Sequence, residues 1–286
     1  MDSNKALIFK NIPQGLPVPG EDPTVESVAR TEAPKNGLLI KSLYASFDPY
    51  MRGRMRPAEL KSYSPPFHLS KPIDAFGIGK VLKSNNDSYK EDQLIIGELP
   101  IQEYVALDEN STARIRSLEN PLGLDIRVFL GALGMPGLTA YSSFYEIGKP
   151  KKDDTIFISA ASGAVGQLGF DAGFNYKSEK PRDALARLAP QGLNIYYDNV
   201  GGEHLEAALD AMNDFGRVVA CGMIPDLNGG VYPISNLHNV IRRRISIRGF
   251  IVSDPGFADK YFLEHQNKMQ RWIKEGSIKT LVCRTH

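Results

Sequence analysis

The fold is decided by Thr155-Ile-Phe-Ile-Ser-Ala-Ala-Ser-Gly-Ala-Val-Gly166. An apolar run of β type leads there into Ala161-x-Gly163-x-x-Gly166, the dinucleotide-binding pattern with alanine in the first glycine position. Small residues let the backbone turn tightly and approach a pyrophosphate, whose charge the free N–H groups of a helix N-terminus then hold. The pattern alone also fits an ordinary strand-to-helix turn. Because it follows a strand within an α/β stretch, we expect it to bind a dinucleotide.

The sequence from about residue 126 onward alternates buried β-type runs with helical patterns. The runs and patterns that follow the glycine-rich turn are 194–198, 203–213, 217–221, 235–242 and 245–252. Continuous apolar runs are typical of parallel strands that are buried on both faces, and their alternation with helices indicates an α/β domain. Residues 257–275 are predicted to form one amphipathic helix, which Gly276 would end.

The first part of the chain, to about residue 125, has a different character. It is rich in proline and glycine, and it carries short β-type runs at 38–43, 77–82 and 101–107 between turn signals. The prolines would interrupt any long helix. We therefore expect a mainly β domain here, which gives the chain of 286 residues two domains of ordinary size.

Composition and charge exclude several classes of protein. Lys and Arg number 34 against 33 Asp and Glu, so the net charge of +1 provides no field that gathers nucleic acid or anionic membranes. The apolar runs fall short of the roughly 18 residues of a membrane span, and the opening residues do not resemble a secretory signal, so we expect a cytoplasmic protein. The two cysteines and five scattered histidines lack the spacing of a metal site, and we expect no bound metal.

The glycine-rich turn is followed by too few residues for a complete β-α-β unit. Such a unit needs about 30 residues, and its second strand normally ends in the side chain that contacts the adenosine ribose. Only Gln167 and Leu168 separate Gly166 from the turn-like stretch 169–176. Either the chain carries a deletion at this point or the sequence as given lacks residues.

Six motifs, spread in order along the chain, resemble one family. They are Ile40-Lys-Ser-Leu-Tyr-Ala-Ser-Phe-Asp-Pro-Tyr-Met-Arg-Gly-Arg-Met55, Gly134-Met-Pro-Gly-Leu-Thr-Ala-Tyr141, Ser159-Ala-Ala-Ser-Gly-Ala-Val-Gly-Gln167, Tyr197-Asp-Asn-Val-Gly-Gly202, Cys221-Gly-Met223 and Gly249-Phe-Ile-Val-Ser-Asp254. Together they resemble the zinc-independent medium-chain dehydrogenase/reductases, and within them the NADPH-dependent alkenal double-bond reductases and prostaglandin reductases.

This resemblance implies the architecture and the assembly. A GroES-like catalytic domain would cover residues 1–125, joined by a short return of the chain at about 276–286, and a Rossmann-type, doubly wound NADP-binding domain would cover residues 126–275. The active site would lie in the cleft between them. A homodimer is expected through the strand at 245–252.

The resemblance also implies the site residues. Tyr50 would face the substrate and act as the catalytic hydrogen-bond donor, with Arg52 and Phe257 as further substrate-binding residues. An ion pair between Asp48 and Arg52 that fixes the loop is the simpler interpretation of those two side chains. The cofactor NADP(H) would be held along its length, from the nicotinamide through the pyrophosphate to the adenosine phosphate and back, by Met135, Gly137, Thr139, Ser162, Gly163, Ala164, Val165, Gly166, Tyr176, Lys177, Asn199, Gly201, Cys221, Gly222, Phe250, Ile251 and Val252. We expect Tyr141 and Tyr197 to be core aromatics.

The reaction implied is the NADPH-dependent reduction of the carbon–carbon double bond of an α,β-unsaturated aldehyde or ketone. Hydride would reach the β-carbon, charge would move to the carbonyl oxygen as an enolate, and a proton would be added at the α-carbon. Tyr50 and a ribose hydroxyl of the cofactor are the expected donors to that oxygen. Two alternatives stay open: a quinone reductase, and a non-catalytic member with weak cofactor binding, which the short segment after Gln167 and the unusual end Thr280-Leu-Val-Cys-Arg-Thr-His286 would explain.

Overall fold

The computed structural model describes residues 4–161, 163, 171–223 and 232–278. The chain divides into two compact units, Met1–Pro121 and Leu122–His286. Each has its own core, since the clusters of buried apolar side chains draw their members from one unit or the other. The helices in the described part of the chain are too short or too polar to cross a bilayer.

The first unit is built from antiparallel sheets. Its elements in chain order are β1 (Asn4–Phe9), β2 (Pro23–Val28), β3 (Leu38–Ala45), α1 (Tyr50–Arg54), β4 (Asp74–Ser84), β5 (Leu94–Pro100), β6 (Tyr104–Leu107), α2 (Glu109–Thr112) and β7 (Ile115–Ser117). Strands β1 and β2 form one pair, and the other five form a sheet in the order β6-β3-β4-β5-β7. The predicted runs at 38–43, 77–82 and 101–107 fall on β3, β4 and β6, so the expected mainly β domain is confirmed.

The core of the five-stranded sheet explains its sequence. Buried side chains from successive strands, among them Leu38, Ile40, Val81 and Ile95, pack into one cluster. Gly97 allows β5 and β7 to approach closely, because a Cβ atom there would lie 2.3 Å from the carbonyl oxygen of Arg114. The last turn of this sheet leads into the second unit.

The second unit alternates helices with parallel strands. Its elements are α3 (Met135–Ser143), β8 (Ile156–Ile158), α4 (Pro181–Leu188), β9 (Leu193–Asp198), α5 (Gly202–Ala211), β10 (Met212–Ala220), α6 (His238–Arg242), β11 (Ser246–Gly249) and α7 (Ala258–Glu275), with a 3₁₀ turn at Ile126–Leu130 and a π turn at Phe144–Gly148. All strand pairs are parallel, in the order β8-β9-β10-β11. The α/β fold class, with a mainly β domain and a Rossmann-type domain, is confirmed.

Two predicted elements of this unit differ from the structure. The run at 245–252 was expected to be a buried strand, but β11 is shorter and its residues are exposed, because it is the edge strand of the sheet. The helix predicted at 235–242 begins only at His238. The helix predicted at 257–275 is α7, and it ends where Gly276 takes a left-handed conformation with φ of 76°.

Strand β8 forms one edge of the described sheet. Its three residues are only half buried, whereas most of β9 is buried. A doubly wound sheet continues on both sides of its first strand. In the residues 171–180 that precede α4 the chain forms turns rather than a strand. Within the described residues β8 is therefore an edge strand, and β9, β10 and β11 all lie on one side of it.

Candidate active site

The carboxyl ends of β8 and β9 carry a buried polar cluster. Ser159 follows β8, and Asp198 ends β9. The backbone N–H of Asn199 donates to Ser159 Oγ at 2.9 Å, and its side-chain Nδ2 donates to the Ser159 carbonyl oxygen at 2.9 Å. In open α/β sheets, ligands bind at this edge of the strands. The structure thus holds the predicted cofactor residue Asn199 at the edge where a dinucleotide would bind.

Asp198 organises the turn between β9 and α5. Its Oδ1 accepts hydrogen bonds from Tyr196 Oη at 2.7 Å and from the N–H groups of Val200 at 3.0 Å and Gly201 at 2.7 Å. The side chain is 1% exposed, and its Oδ2 has no hydrogen-bond partner among the described residues. Gly201 has φ of 71°, so a glycine is required there. The sequence reasoning missed Asp198, although the residue lies within the motif that begins at Tyr197.

The end of β10 joins this cluster. The N–H groups of Cys221 and Gly222 donate to the carbonyl oxygen of Asp198 at 2.8 and 3.1 Å. Burial raises the pKa of the Cys221 thiol, so that the group stays neutral at physiological pH. Tyr197 Oη and Ser143 Oγ share a hydrogen bond of 2.8 Å, which connects β9 to the end of α3. The predicted core position of Tyr197 is confirmed, as is that of Tyr141.

The first turn of α3 and the residues just before it are tightly packed, and α7 holds them. Gly137 has no room for a side chain, because a Cβ atom would lie 1.8 Å from the Ala132 carbonyl oxygen. His265 Nε2 lies 2.9 Å from that same oxygen, and since a carbonyl only accepts, Nε2 carries the proton. Gln266 Nε2 donates to the Leu133 carbonyl oxygen at 2.8 Å. These two side chains of α7, which the sequence reasoning did not single out, hold the segment that contains Met135 and Gly137.

Within α3, Thr139 uses its hydroxyl locally. Its Oγ1 donates to the Met135 carbonyl oxygen at 2.7 Å, one turn earlier in the helix. Thr139 therefore lies on the predicted nicotinamide segment with its donor already engaged, and its remaining capacity is as an acceptor.

The residues after β11 are buried or half buried at the positions expected to meet cofactor and substrate. Phe250 stacks on Phe257 with ring centroids 5.0 Å apart, and both rings pack in the core of this unit. Phe257, expected to contact the substrate, is only 1% exposed. The Val252 carbonyl oxygen accepts from Ala258 N at 3.0 Å, and Ile251 N donates to Asp254 Oδ2 at 2.8 Å. The structure thus gives Phe257 a packing role within the unit.

An aromatic cluster on one face of the sheet joins β8 and β9 to the residues before α4. Phe157 stacks with Tyr196 and with Phe174, with centroid distances of 4.9 and 5.9 Å. Tyr176 is 61% exposed and lies edge-on to His204 at 5.5 Å. Lys177, the other residue expected at the adenosine phosphate, follows it and is exposed. Both side chains are therefore free to meet a ligand.

The pyrophosphate turn is described only in part. Gly163 N donates to the carbonyl oxygen of Ala160 at 2.9 Å, and Ala160 has a left-handed backbone with φ of 51°. This tight turn is what the small residues of the motif were expected to allow. Ser162, Ala164, Val165 and Gly166 lie outside the described residues, as does the chain from 279 to 286.

In the first unit, Tyr50 begins the short helix α1 and is half buried. Burial raises the pKa of its phenol, so the hydroxyl keeps its proton at physiological pH. Arg52 directs Nε and Nη2 to the Gly15 carbonyl oxygen, at 3.1 and 2.8 Å. Asp48 Oδ2 is buried without a hydrogen-bond partner in the described part of the chain, and burial raises the pKa of this carboxyl. The guanidinium of Arg52 thus fixes the loop through Gly15 rather than through the expected pairing with Asp48.

Across the described ranges, His, Cys, Asp and Glu side chains form no group of three or more that could hold a metal ion.

Comparisons with known proteins match each of the two units to an oxidoreductase domain family. Residues 5–115 match a family described as the N-terminal domain of oxidoreductase, and residues 159–265 match one described as zinc-binding dehydrogenase. NADP-dependent oxidoreductase RED1 of Cochliobolus heterostrophus is 45% identical over 98% of this chain and 89% of its own length. The 2-alkenal reductase (NADP(+)-dependent) of Nicotiana tabacum is 37% identical over 88% of this chain and 82% of its own.

A solved structure is similar over almost the whole chain. CurA from Vibrio vulnificus in complex with NADPH has a TM-score of 0.85 and 25% sequence identity, with 96% of this chain and 89% of that chain covered. The alignment with RED1 runs over 314 residues, which is more than the 286 residues of this chain. The relative therefore carries internal residues that have no counterpart in this chain.

Proposed function

The chain belongs to the zinc-independent medium-chain dehydrogenase/reductase family as an NADP-dependent oxidoreductase, and we propose that it reduces the carbon–carbon double bond of α,β-unsaturated aldehydes or ketones. The observation that carries the proposal is the 37% identity with a 2-alkenal reductase over 88% of this chain. The buried polar cluster at the carboxyl ends of β8 and β9 supports this proposal, because it offers a binding place for the cofactor in the second unit.

The residues of the second unit fit a nicotinamide cofactor. The polar groups of Asn199 and Ser159 and the backbone around Gly201 and Gly222 meet at the edge of the sheet, where dinucleotides bind. Gly137 keeps the first turn of α3 free of side-chain bulk. When bound, NADPH supplies the hydride. Tyr176 and Lys177, both exposed, are proposed to contact the adenosine phosphate.

Tyr50 is proposed to act on the substrate oxygen. As the double bond accepts a hydride, negative charge develops on the carbonyl oxygen, and a neutral hydroxyl that donates a hydrogen bond stabilises it. Since burial raises the pKa of Tyr50, its hydroxyl is protonated over the whole physiological range. The residue thus serves as a donor that needs no preceding ionisation.

The experiment combines cofactor consumption with identification of the product. Purified protein is mixed with NADPH and with a panel of enals, enones and quinones. We expect saturated aldehydes or ketones from the enals and enones, and little turnover of quinones. Allylic alcohols would indicate carbonyl reduction instead, and turnover limited to quinones would favour a quinone reductase.

In the described residues β8 has a neighbouring strand on one side only. This favours a second candidate, namely that the chain is a non-catalytic family member that binds the cofactor weakly. The strand that normally contacts the adenosine ribose does not pair with β8 in the described residues. A thermal melt with and without NADPH separates the two candidates. A functional site stabilises the protein by about 2.7 kcal/mol at a ligand concentration of 100 times Kd, whereas a site that binds weakly gives no shift at micromolar NADPH.

We also propose a cytoplasmic homodimer that pairs through β11. This edge strand is exposed, and within the described sheet only one of its two edges is paired, with β10. Pairing with a second copy would continue the sheet and satisfy the free N–H and C=O groups. Sedimentation at micromolar concentration should give a dimer. Replacement of Ile247 by proline should give a monomer, because proline removes a ladder donor.

A further inference from the structure

A buried ion pair lies in the first unit at the end of the helix that Tyr50 begins. Arg54 ends α1 and is 5% exposed. Its Nη1 donates to Asp74 Oδ2 at 2.7 Å, and its Nη2 donates to Asp74 Oδ1 at 3.2 Å. Two parallel hydrogen bonds of this kind fix the plane of the guanidinium as well as its position.

Three further contacts hold the guanidinium in place. Nε donates to the Pro65 carbonyl oxygen at 2.9 Å, and the guanidinium carbon lies 4.1 Å from the centre of the Phe67 ring. Glu98 Oε1 lies 3.5 Å from Nη1. Arg54 is therefore held from several sides, and its charge has a fixed place at the end of α1.

The two carboxyl groups beside Arg54 share one face of the sheet. Phe76 on β4 pairs with Glu98 on β5, and Asp74 lies two residues before Phe76 on the same face, so the carboxyls are diagonal neighbours. Burial and the hydrogen bond with Asp74 raise the pKa of Glu98. Burial acts to raise the pKa of Asp74 too. The hydrogen bonds of Asp74 with Glu98 and Arg54 outweigh burial and hold the pKa of Asp74 below its usual value. Asp74 is thus the ionised partner, and Glu98 is the one that takes up a proton first.

Tyr50 and Arg54 occupy the same side of α1. Residues four apart lie one above the other on a helix, so Arg54 follows Tyr50 by one turn. The charged groups that act on the Tyr50 phenol are Arg54, Asp48 and Glu98. Arg54 lowers the pKa of the phenol, while Asp48, Glu98 and above all burial raise it. The cation of the cluster is therefore close enough to Tyr50 to influence its oxygen.

We propose that Arg54 is a positioning residue for Tyr50: its guanidinium, fixed by Asp74 and Glu98, stabilises the negative charge that grows on the Tyr50 oxygen while the hydroxyl donates its hydrogen bond to the substrate. The inference rests on the proposed function, in which Tyr50 is the donor. A buried ion pair adds little to stability compared with apolar residues of the same size, so stability alone does not explain why this one is placed one turn after Tyr50.

A double-mutant cycle tests whether Arg54 acts through Tyr50. We expect Tyr50→Phe to lower kcat for an enone by at least about 10²-fold, the lower end of what a positioned donor contributes. Arg54→Gln should lower kcat by about tenfold while the KM for NADPH changes little, and Arg54→Lys should restore part of the loss. In the Tyr50→Phe background, Arg54→Gln should have no further effect, because the group it serves is gone. Equal losses in both backgrounds would overturn the inference.

Arg217→Gln is the matched control. Arg217 forms a similarly buried ion pair with Asp154 in the other unit, with the two side chains 18% and 9% exposed. This variant loses a comparable pair, and its effect on kcat should be the same with and without Tyr50→Phe. Melting temperatures of all variants identify any that fail to fold, in which case Arg54→Lys and Glu98→Gln complete the cycle.

An alkaline titration gives a readout that does not depend on activity. The Tyr50 phenol is followed by NMR of protein with ¹³Cζ-labelled tyrosine and is assigned by its loss in Tyr50→Phe. Glu98→Gln should shift its titration to lower pH, and Arg54→Gln should shift it to higher pH, from the signs of the charges removed. An unchanged titration in both variants contradicts the inference. If the titration shifts but the wild-type protein reduces no enone, the proposed function fails and the link between Arg54 and Tyr50 stands.

Discussion

His265 couples the stability of the second unit to pH, because its imidazole is buried in the neutral form. Burial lowers the pKa of His265 to about 4, against the bond to Ala132 that acts to raise it. In the unfolded chain a histidine titrates near pH 6.5. Protonation below that pH therefore favours the unfolded chain, so the contribution of His265 is complete above about pH 6.5 and is lost as the pH falls towards 4.

We expect the free energy of unfolding to fall by up to about 3 kcal/mol between pH 7 and pH 4 through this group. Urea unfolding followed by Trp272 fluorescence measures it, since Trp272 is the single tryptophan and lies on the same helix, α7. His265→Gln should flatten the dependence below pH 6.5. His68→Gln, at an exposed position, should leave it as in the wild-type protein.

Lys177 is expected to distinguish NADPH from NADH. Its exposed side chain follows Tyr176, and we propose that the adenosine phosphate is bound beside these two residues. Lys177→Ala should raise the Kd for NADPH by about threefold, the effect of one exposed ionic contact, and should leave the Kd for NADH unchanged. Calorimetric titration with both cofactors measures this. Lys180→Ala, three residues later and also exposed, is the control, and an equal loss for both cofactors would remove Lys177 from the phosphate site.

The first turn of α3 depends on a glycine that faces backbone. In Gly137→Ala the new methyl group would lie 1.8 Å from the Ala132 carbonyl oxygen, so the backbone itself would have to shift. We expect a loss of about 1–3 kcal/mol in the free energy of unfolding and weaker NADPH binding. Gly131→Ala is the matched control in the same segment, because nothing lies within 4 Å of its added Cβ atom. Similar behaviour of the two variants would contradict this account.

Single elements were predictable where the residues that define them are neighbours in sequence. The run at 194–198 is β9 (Leu193–Asp198), and the helix predicted at 257–275 is α7, since local apolar spacing specifies both. The exposure of β11 was not predictable, because an edge position depends on which strands lie beside it. The cluster around Arg54 and the contact of His265 with Ala132 were missed for a similar reason: their partners are 20 to 133 residues away.

For the molecule as a whole, each unit has a core of its own, so we expect the first unit to fold alone. A fragment of residues 1–121 contains all strands of the sheet β6-β3-β4-β5-β7 and the clusters around Ile40 and Phe9. It should unfold in one cooperative transition in urea, as single domains of this size do. A fragment of residues 1–103, which lacks β6 and β7, is the control and should show no transition. A non-cooperative profile for the longer fragment would indicate that its core is incomplete.

The consecutive strand order of the second unit bears on how it is made. In a doubly wound sheet the chain must travel back past its first strand to begin the second wing. Here the described strands that follow one another in sequence, β8, β9, β10 and β11, are also neighbours in the sheet. Shorter closures cost less entropy, and local connectivity speeds folding. We therefore expect each strand after β8 to find the strand beside it already synthesised as the chain leaves the ribosome.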